Sequence, residues 1–217
     1  MRELSALGPY FALDALPGDP GAEGWRPLRV LLQPGALEDR VAFTAAYLGR
    51  LAGTPVERRV AASTVSLGLF ARVLSPVVGA AVLGVRLPPP ATWWWRPFET
   101  GPWPLAVDWS SHEPGETDAV PLSPWVDRFA EDFTLSRTIL WGNAASALFG
   151  AVAALRTTRP DLAPAAASYA VAALDREPFA GTGDVVRGRF VRRSCCLYYR
   201  VPGGGYCGDC VLAPANR

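Results

Sequence analysis

The chain contains no lysine, and all 21 of its basic residues are arginines. This absence excludes Schiff-base chemistry and Walker-type phosphate loops, because both depend on a lysine amine. The only histidine, His112, lies in a polar loop, and no Ser-His-Asp, HExxH or GxGxxG pattern is present. These absences argue against the common hydrolases, zinc proteases and dinucleotide-binding enzymes.

The chain also lacks an excess of charge of either sign, since the formal net charge of the 217 residues is +1. A nearly neutral chain has no bulk field that attracts nucleic acid or an anionic membrane. We therefore expect no nucleic-acid partner and at most peripheral membrane association. Half of the residues are hydrophobic and 19% are charged, which is enough apolar surface for a sizeable core.

Apolar periodicity predicts an α+β fold, with a predominantly helical body, a small antiparallel sheet and a C-terminal cysteine-bearing loop segment. Helices are predicted near residues 2–6, 35–53, 56–75, 124–135, 137–157 and 161–176. Strands are predicted at residues 27–32, 80–87, 91–98, 104–110 and 183–193. A polar loop is expected over residues 111–124.

Residues 64–85 form an apolar run that carries only one charge, Arg72. Pro76 interrupts the run and no second span follows, so we interpret it as a buried helix leading into a buried strand rather than a membrane segment. The N-terminal segment is cut by Pro9, Asp14 and Pro17 and is a poor signal peptide. We therefore expect a cytoplasmic protein.

All four cysteines lie within residues 195–210, with the spacing C-C-x10-C-x2-C. A disulfide between Cys207 and Cys210 would leave the adjacent pair Cys195 and Cys196 unexplained. A structural zinc site usually has two C-x2-C arms, whereas one arm here is a bare C-C. An accidental cluster of buried thiols is the third interpretation.

The fourth interpretation, which we favour, is a [2Fe–2S] cluster, because two irons that each take two thiolates can be held by arms of different geometry. Cys207 and Cys210 form a chelating turn for one iron, and Cys195 and Cys196 would serve the other if the chain bends there. The charges of Arg192, Arg193 and Arg200 would favour the reduced, more negative cluster. The alternative for these arginines is a solvated face.

This cysteine segment resembles the C-terminal motif of the FhuF-like ferric-siderophore reductases, in which C-C-x10-C-x2-C holds a [2Fe–2S] cluster. "SRTILWGNAASAL", residues 136–148, is similar to the Trp-Gly-Asn helix of that family. The resemblance implies that Cys195, Cys196, Cys207 and Cys210 bind the cluster. It also implies a cytoplasmic oxidoreductase in iron homeostasis, which reduces Fe(III) in a siderophore, hydroxamates being one possible type. The absence of a flavin or nicotinamide motif implies a separate electron donor, such as a ferredoxin or a flavin reductase.

A different class of function stays open, namely a ferredoxin-like electron carrier or an Fe–S redox sensor without a small-molecule substrate. Residues 1–182 are predicted to form a reductase-like body, on which a segment of residues 183–217 docks, with helix 137–157 as its floor and Phe190 as its anchor. One of Tyr198 and Tyr199 should face the cluster and the other water.

Aromatic and arginine side chains are the candidates for chelator contacts. Each also has a structural interpretation: the tryptophans can pack the sheet on the helices, and the buried amide of Asn143 can pin a loop or the cluster segment. The candidate substrate residues are Trp95, Arg96, Trp141, Asn143, Arg193 and Arg200.

Overall fold

The computed structural model describes residues 2–110 and 122–213. His112 and most of the predicted polar loop lie outside the described residues. The described helices are α1 (Arg2–Ala6), α2 (Glu38–Ala52), α3 (Arg58–Leu83), α4 (Ser123–Phe133), α5 (Arg137–Thr158) and α6 (Ala163–Leu174). The described strands are β1 (Asp14–Ala15), β2 (Arg26–Pro27), β3 (Trp94–Trp95), β4 (Leu105–Val107), β5 (Gly183–Val186) and β6 (Arg189–Arg192). The α+β class with helix dominating is confirmed.

Helices α3 and α5 form the centre of the core and pack against each other. Helix α5 begins at Ser136, whose side chain accepts a hydrogen bond from the backbone N–H of Ile139. Helix α3 ends at Gly84, which has a left-handed φ of 66°. Helices α2, α4 and α6 cover this central pair and bury their apolar faces on it.

Helix α3 continues through Pro76 to Leu83, so the predicted helix end at residue 75 and the predicted strand at 80–87 are wrong. Proline cannot donate the usual helical hydrogen bond, and its ring crowds the carbonyl of the preceding turn. Here the residues from Arg72 to Ala80 are all buried, and their tertiary packing outweighs the local cost of the proline.

Arg72 is buried in α3, and its guanidinium donates to three backbone carbonyls. Nε donates to Trp103 O at 2.6 Å, Nη2 donates to Ala12 O at 2.8 Å, and Nη1 donates to Tyr10 O. Burial lowers the pKa of Arg72 to about 10, so the side chain is still protonated at neutral pH. One charged side chain thus ties the N-terminal segment to the central helix.

Two helices, α3 and α5, are long and apolar enough to cross a membrane by length and composition. In the fold, 72% of the most apolar window of α3 and 56% of that of α5 are buried inside the protein. Their hydropathy is thus matched by core packing, as expected for residues 64–85.

The small sheet has the strand order β1-β4-β3-β2, with β1 parallel to β4 and the other pairs antiparallel. It is therefore mixed, whereas an antiparallel sheet was predicted. The strand predicted at 27–32 is also wrong, because Leu28–Leu32 forms a 3-10 helix. That short apolar run buries Leu28 and Leu31, which are three residues apart, and this spacing suits a tight helix better than an alternating strand.

The single strand predicted at 183–193 is a hairpin of β5 and β6. Its two-residue turn consists of Arg187 and Gly188, whose φ angles are 50° and 76°. Positive φ at both positions matches the right-handed twist of the strands and closes a tight antiparallel pair. Strand β6 then leads directly into the cysteine segment.

Candidate iron–sulfur site

The cysteine segment, residues 193–213, turns back on itself and brings its two cysteine arms together. Leu197, directly after the adjacent pair, has a left-handed φ of 69° and bends the chain at that point. Gly203 and Gly205 also have positive φ, at 76° and 67°, which lets the loop reverse. The backbone N–H of Cys210 donates to Cys207 O at 3.2 Å and closes the turn of the second arm.

One sulfur contact joins the two arms: Cys196 Sγ and Cys207 Sγ are 3.6 Å apart. All four cysteines are free, and 3.6 Å is far longer than a disulfide bond of about 2.05 Å. A tetrahedral metal with metal–sulfur bonds of about 2.3 Å would hold two ligand sulfurs about 3.8 Å apart. This contact therefore suits two thiolates on one metal ion, although the sequence favoured pairing within each arm.

Backbone amides also point at the sulfurs. Leu197 N–H donates to Cys195 Sγ at 3.3 Å, and Leu212 N–H donates to Cys210 Sγ at 3.4 Å. Such donors stabilise sulfur in its thiolate form, the form that binds iron.

One of the two thiols in contact is readily ionised. The hydrogen bond between Cys196 and Cys207 is the main cause that lowers the pKa of Cys196 to about 6. The backbone of Tyr198 and the Arg192 charge also lower this pKa, and burial opposes them. The same Cys196–Cys207 hydrogen bond raises the pKa of Cys207, because this thiol keeps the shared proton. Burial raises the pKa of Cys195. Iron binds cysteine as the thiolate, so iron binding would displace the proton that the Cys196–Cys207 pair shares.

Strand β6, which leads into the cysteine segment, is anchored on α5 by an aromatic stack. Phe190 is 6% exposed, and its ring lies parallel to that of Phe149 with the centroids 4.4 Å apart. The Phe190 ring lies against Gly183 of the paired strand β5. A Cβ at Gly183 would lie 2.4 Å from Phe190 Cε2 and would clash with the ring. The predicted inward anchor and its helical floor are both observed. The division into bodies 1–182 and 183–217 stays a prediction.

Next to the cysteines, the segment approaches α5 at Gly142. A Cβ at Gly142 would lie 2.1 Å from Ser194 Oγ, so only glycine admits Ser194 in its present rotamer. Tyr199 is 47% exposed, whereas Tyr198 packs against the core. The predicted difference between the two tyrosines in exposure is thus present.

A buried polar network links α3, α5 and the first cysteine arm. Asn143 Nδ2 donates to Ser63 O, Ser63 Oγ and Ser66 Oγ at 2.9 to 3.1 Å. Ser63 Oγ in turn donates to Cys196 O at 2.7 Å. Asn143, Ser63 and Ser66 are fully buried. The sequence singled out Asn143 but missed the two serines, whose only signal was their i, i+3 spacing in an apolar helix.

Arg192 joins this network to the second arm. Its Nη1 donates to Asn143 Oδ1 at 2.8 Å, and its Nε donates to Asp209 Oδ2 at 3.2 Å. Its backbone N–H donates to Asp209 O at 3.1 Å. Burial works against ionisation of Asp209, but the Arg192 charge and the hydrogen bonds from Ser146, Cys207 and Arg192 together hold the pKa of that carboxyl below its ordinary value. Asp209, between Cys207 and Cys210, was missed by the sequence analysis.

Most of the other predicted substrate residues contact protein groups rather than the cysteine arms. Arg96 stacks over Trp25 at 4.9 Å, and Trp95 packs against Trp103 with ring centroids 5.5 Å apart. Trp95 also lines a cleft of about 540 Å³ together with Arg40 and Phe98. The tryptophan strand is thus partly structural, while its cleft leaves room for a ligand.

The remaining candidates, Trp141, Arg193 and Arg200, also contact other protein side chains. Trp141 packs edge-to-face on Phe179, with centroids 5.8 Å apart. Arg193 pairs with Asp184 at 2.8 Å and Arg200 with Glu57 at 2.6 Å, and both arginine side chains are substantially exposed. The solvated-face interpretation fits these two arginines, and only Arg192 of the three flanking arginines is buried.

The donor set fits a two-iron cluster better than a single metal ion. Across residues 2–110 and 122–213, no three His, Cys, Asp or Glu side chains are grouped so as to hold one metal, whereas each iron of a [2Fe–2S] cluster needs only two protein thiolates. Five buried side-chain N or O atoms in these residues lack a hydrogen-bond partner, among them Arg192 Nη2 and Ser194 Oγ, directly before the cysteines. Ser194 Oγ faces Gly142 of α5, whereas Arg192 Nη2 is an unpartnered donor that an acceptor-rich sulfur cluster would satisfy.

The segment is bent and glycine-rich and carries four free cysteines, of which Cys196 and Cys207 are in contact and Cys195 and Cys210 accept backbone hydrogen bonds. These features suit an iron–sulfur-binding element. Residues 192–212 match the family model described as the FhuF 2Fe-2S C-terminal domain. The match confirms the resemblance that the cysteine spacing indicated, and the cofactor of this segment is a [2Fe–2S] cluster. No curated protein matches the chain.

Proposed function

We propose that this protein is a ferric-siderophore reductase, in which Cys195, Cys196, Cys207 and Cys210 hold the [2Fe–2S] cluster. The observation that carries the proposal is the match of residues 192–212 to the FhuF 2Fe-2S domain. All four cysteines of that region are free, and Cys196 and Cys207 meet across the two arms. The sequence has no Ser-His-Asp, HExxH or GxGxxG pattern. One-electron chemistry needs none.

The chemistry follows from the hardness of the two iron states. Fe(III) binds the oxygens of hydroxamates and catecholates tightly, and Fe(II) binds them far less well. When bound, a [2Fe–2S] cluster supplies one electron to an outer acceptor. That electron reduces one chelated Fe(III) to Fe(II), the iron–oxygen bonds open, and the chelator leaves chemically unchanged. A separate one-electron donor, such as a ferredoxin or a flavin reductase, restores the cluster.

The exposure of the cysteines supports transfer to a bulky acceptor. Cys196 and Cys210 are buried, whereas Cys195 and Cys207 are half-buried and Gly208 is exposed. A cleft of about 280 Å³ lies beside the Cys207–Cys210 turn and is lined by Phe190, Arg156 and Arg189. Two arginines on an aromatic floor suit an anionic ferric chelate.

This cleft and the cleft lined by Trp95 are the two candidate chelate sites, and kinetics distinguish them. Arg189→Gln should raise KM for an anionic chelate if the chelate binds beside the cysteine turn, and Trp95→Leu should raise KM if it binds at the tryptophan strand. Arg193→Gln, which removes an exposed arginine paired with Asp184, is the matched control for charge. An unchanged KM in a variant removes its cleft from consideration.

The cytoplasm, where a reductant is at hand, is the proposed location.

The experiment uses protein that is reduced anaerobically and then freed of excess reductant. Adding a ferric hydroxamate with a ferrous trap should restore the oxidised visible spectrum and form the trapped Fe(II) complex. The same hydroxamate loaded with Ga(III), which binds alike but accepts no electron, should leave the cluster reduced. A cluster that stays reduced with ferric chelates of both hydroxamate and catecholate type, yet exchanges electrons with a ferredoxin, would indicate an electron carrier instead.

A further inference from the structure

Arg192 is the most deeply buried charge beside the cysteine arms, and its side chain has no solvent exposure. It follows strand β6 into the segment and reaches both arms through the contacts described above. Burying a guanidinium costs several kcal/mol of desolvation unless its donors are satisfied.

The hydrogen bonds of Arg192 leave one nitrogen unused. Nε and Nη1 each have a protein acceptor, but Nη2 is buried and has none. An arginine that served only to pair with Asp209 would use Nε and Nη2 together, in the usual bidentate contact with a carboxylate. Asn143 instead holds the opposite edge of the guanidinium and fixes its plane. The free nitrogen is therefore held in place without an acceptor from the protein.

The cysteines are the groups that this charge reaches. Arg192 contacts Asp209, which lies between Cys207 and Cys210, and it reaches the first arm through Asn143 and Ser63, so its charge is held beside both arms. Reduction makes an iron–sulfur cluster one unit more negative, and a donor aimed at its sulfurs stabilises that added charge. Salt screens a buried charge far less than an exposed one.

We propose that Arg192 sets the reduction potential of the cluster, by donating a hydrogen bond from Nη2 to a cluster or cysteine sulfur and by holding its positive charge there. Asn143 is the positioning residue that orients the guanidinium. The inference rests on the four cysteines holding the cluster and does not depend on the acceptor being a siderophore. The sequence suggested that Arg192, Arg193 and Arg200 together favour the reduced cluster, and the proposal assigns this role to Arg192 alone.

The test is a mediated redox titration of the cluster-loaded protein, which involves no siderophore. Arg192→Gln removes the charge and is expected to lower the ratio of reduced to oxidised cluster at a fixed potential at least tenfold, which is about 59 mV for one electron. The matched control is Arg193→Gln, whose arginine is adjacent in sequence, 59% exposed and paired with Asp184. The control should change that ratio less than twofold. Equal ratios in the two variants would overturn the proposal.

Asn143→Ala keeps the charge but frees Nη1, so it should lower the same ratio by less than Arg192→Gln does. An unchanged ratio would remove the positioning role of Asn143.

A measurement on the wild-type protein covers the case in which Arg192→Gln loads no cluster. Arginine labelled with 15N only in its guanidinium group can be incorporated, and the reduced cluster examined by pulsed EPR. A 15N hyperfine coupling is expected, because Nη2 would lie against a sulfur, and Arg193→Gln should retain it. A wild-type spectrum without any guanidinium coupling would show that no arginine reaches the cluster, and the proposal would fail even though the cluster and its activity were intact.

Discussion

Replacing Phe190 with alanine should loosen the cluster more than it destabilises the body of the protein. Phe190 is the buried aromatic anchor of the segment, and its stack on Phe149 joins strand β6 to α5. Truncating a buried phenylalanine to alanine costs about 3–5 kcal/mol. We expect the lower end, about 3 kcal/mol, because the ring borders the cleft of about 280 Å³ and its removal leaves no sealed cavity.

That cost falls on the docking of a short segment rather than on the helical core. Since each 1.4 kcal/mol is a tenfold change in an equilibrium constant, a loss of about 3 kcal/mol raises the undocked population about 100-fold. If iron is lost from the undocked state, the rate at which a strong iron chelator bleaches the cluster should rise by a similar factor. The assay follows visible absorbance under chelator challenge and, separately, helix melting by circular dichroism.

The matched control is Phe129→Ala, in helix α4. Phe129 is fully buried and packs edge-to-face on Phe70, so its truncation should lower the melting temperature of the body. In Phe190→Ala the cluster should bleach fast while the helix melting temperature stays nearly unchanged. In Phe129→Ala the helix melting temperature should fall while the rate of cluster bleaching stays nearly unchanged. If Phe190→Ala bleached at the wild-type rate, or melted as early as the control, the stack would not be the anchor.

Two further predictions concern α5 and α3. Gly142→Ala should accelerate cluster loss, because the new Cβ meets Ser194 Oγ. The double variant Gly142→Ala with Ser194→Ala should restore cluster retention, since the new Cβ would lie at an ordinary 3.5 Å from Ser194 Cβ. Equal rates of bleaching in the single and double variants would contradict the close approach. Arg72→Met should lower the free energy of unfolding by about 3–5 kcal/mol in denaturant titrations, because three buried carbonyls lose their donor, while the cluster spectrum stays unchanged. A stability within 1 kcal/mol or so of wild type would refute that account of Arg72.

Local sequence signals predicted most of the helices, because their information is local. The apolar spacing of α2, α4, α5 and α6 placed each helix within a few residues of its observed range. The errors lie where tertiary packing outweighed a local signal. Pro76 argued for a helix end, but burial on all sides carries α3 through it. The turn at Arg187 and Gly188 was missed because a bulky residue with positive φ gives little sequence signal.

The cysteines, Asn143 and Arg192 of the site were singled out from the sequence, but the contacts that join them were not. The spacing of the cysteines along the chain identified the cluster segment, and the match to the FhuF 2Fe-2S domain confirmed it. The network that holds the segment joins Ser63, Asn143 and Arg192, which are 80 and 49 residues apart in sequence. No pattern in a single sequence reveals such contacts. The approach of Cys196 to Cys207, across the arms, was unforeseen for the same reason.

The most direct test of the central claim is an analysis of anaerobically purified protein for iron, acid-labile sulfide and the EPR signal of the reduced state. The account predicts reddish-brown protein with about two irons and two sulfides per chain, and near-complete loss of all three signals in Cys207→Ser. A colourless protein with about one zinc per chain, or a Cys207→Ser variant that keeps a full wild-type cluster, would contradict the assignment of the four cysteines.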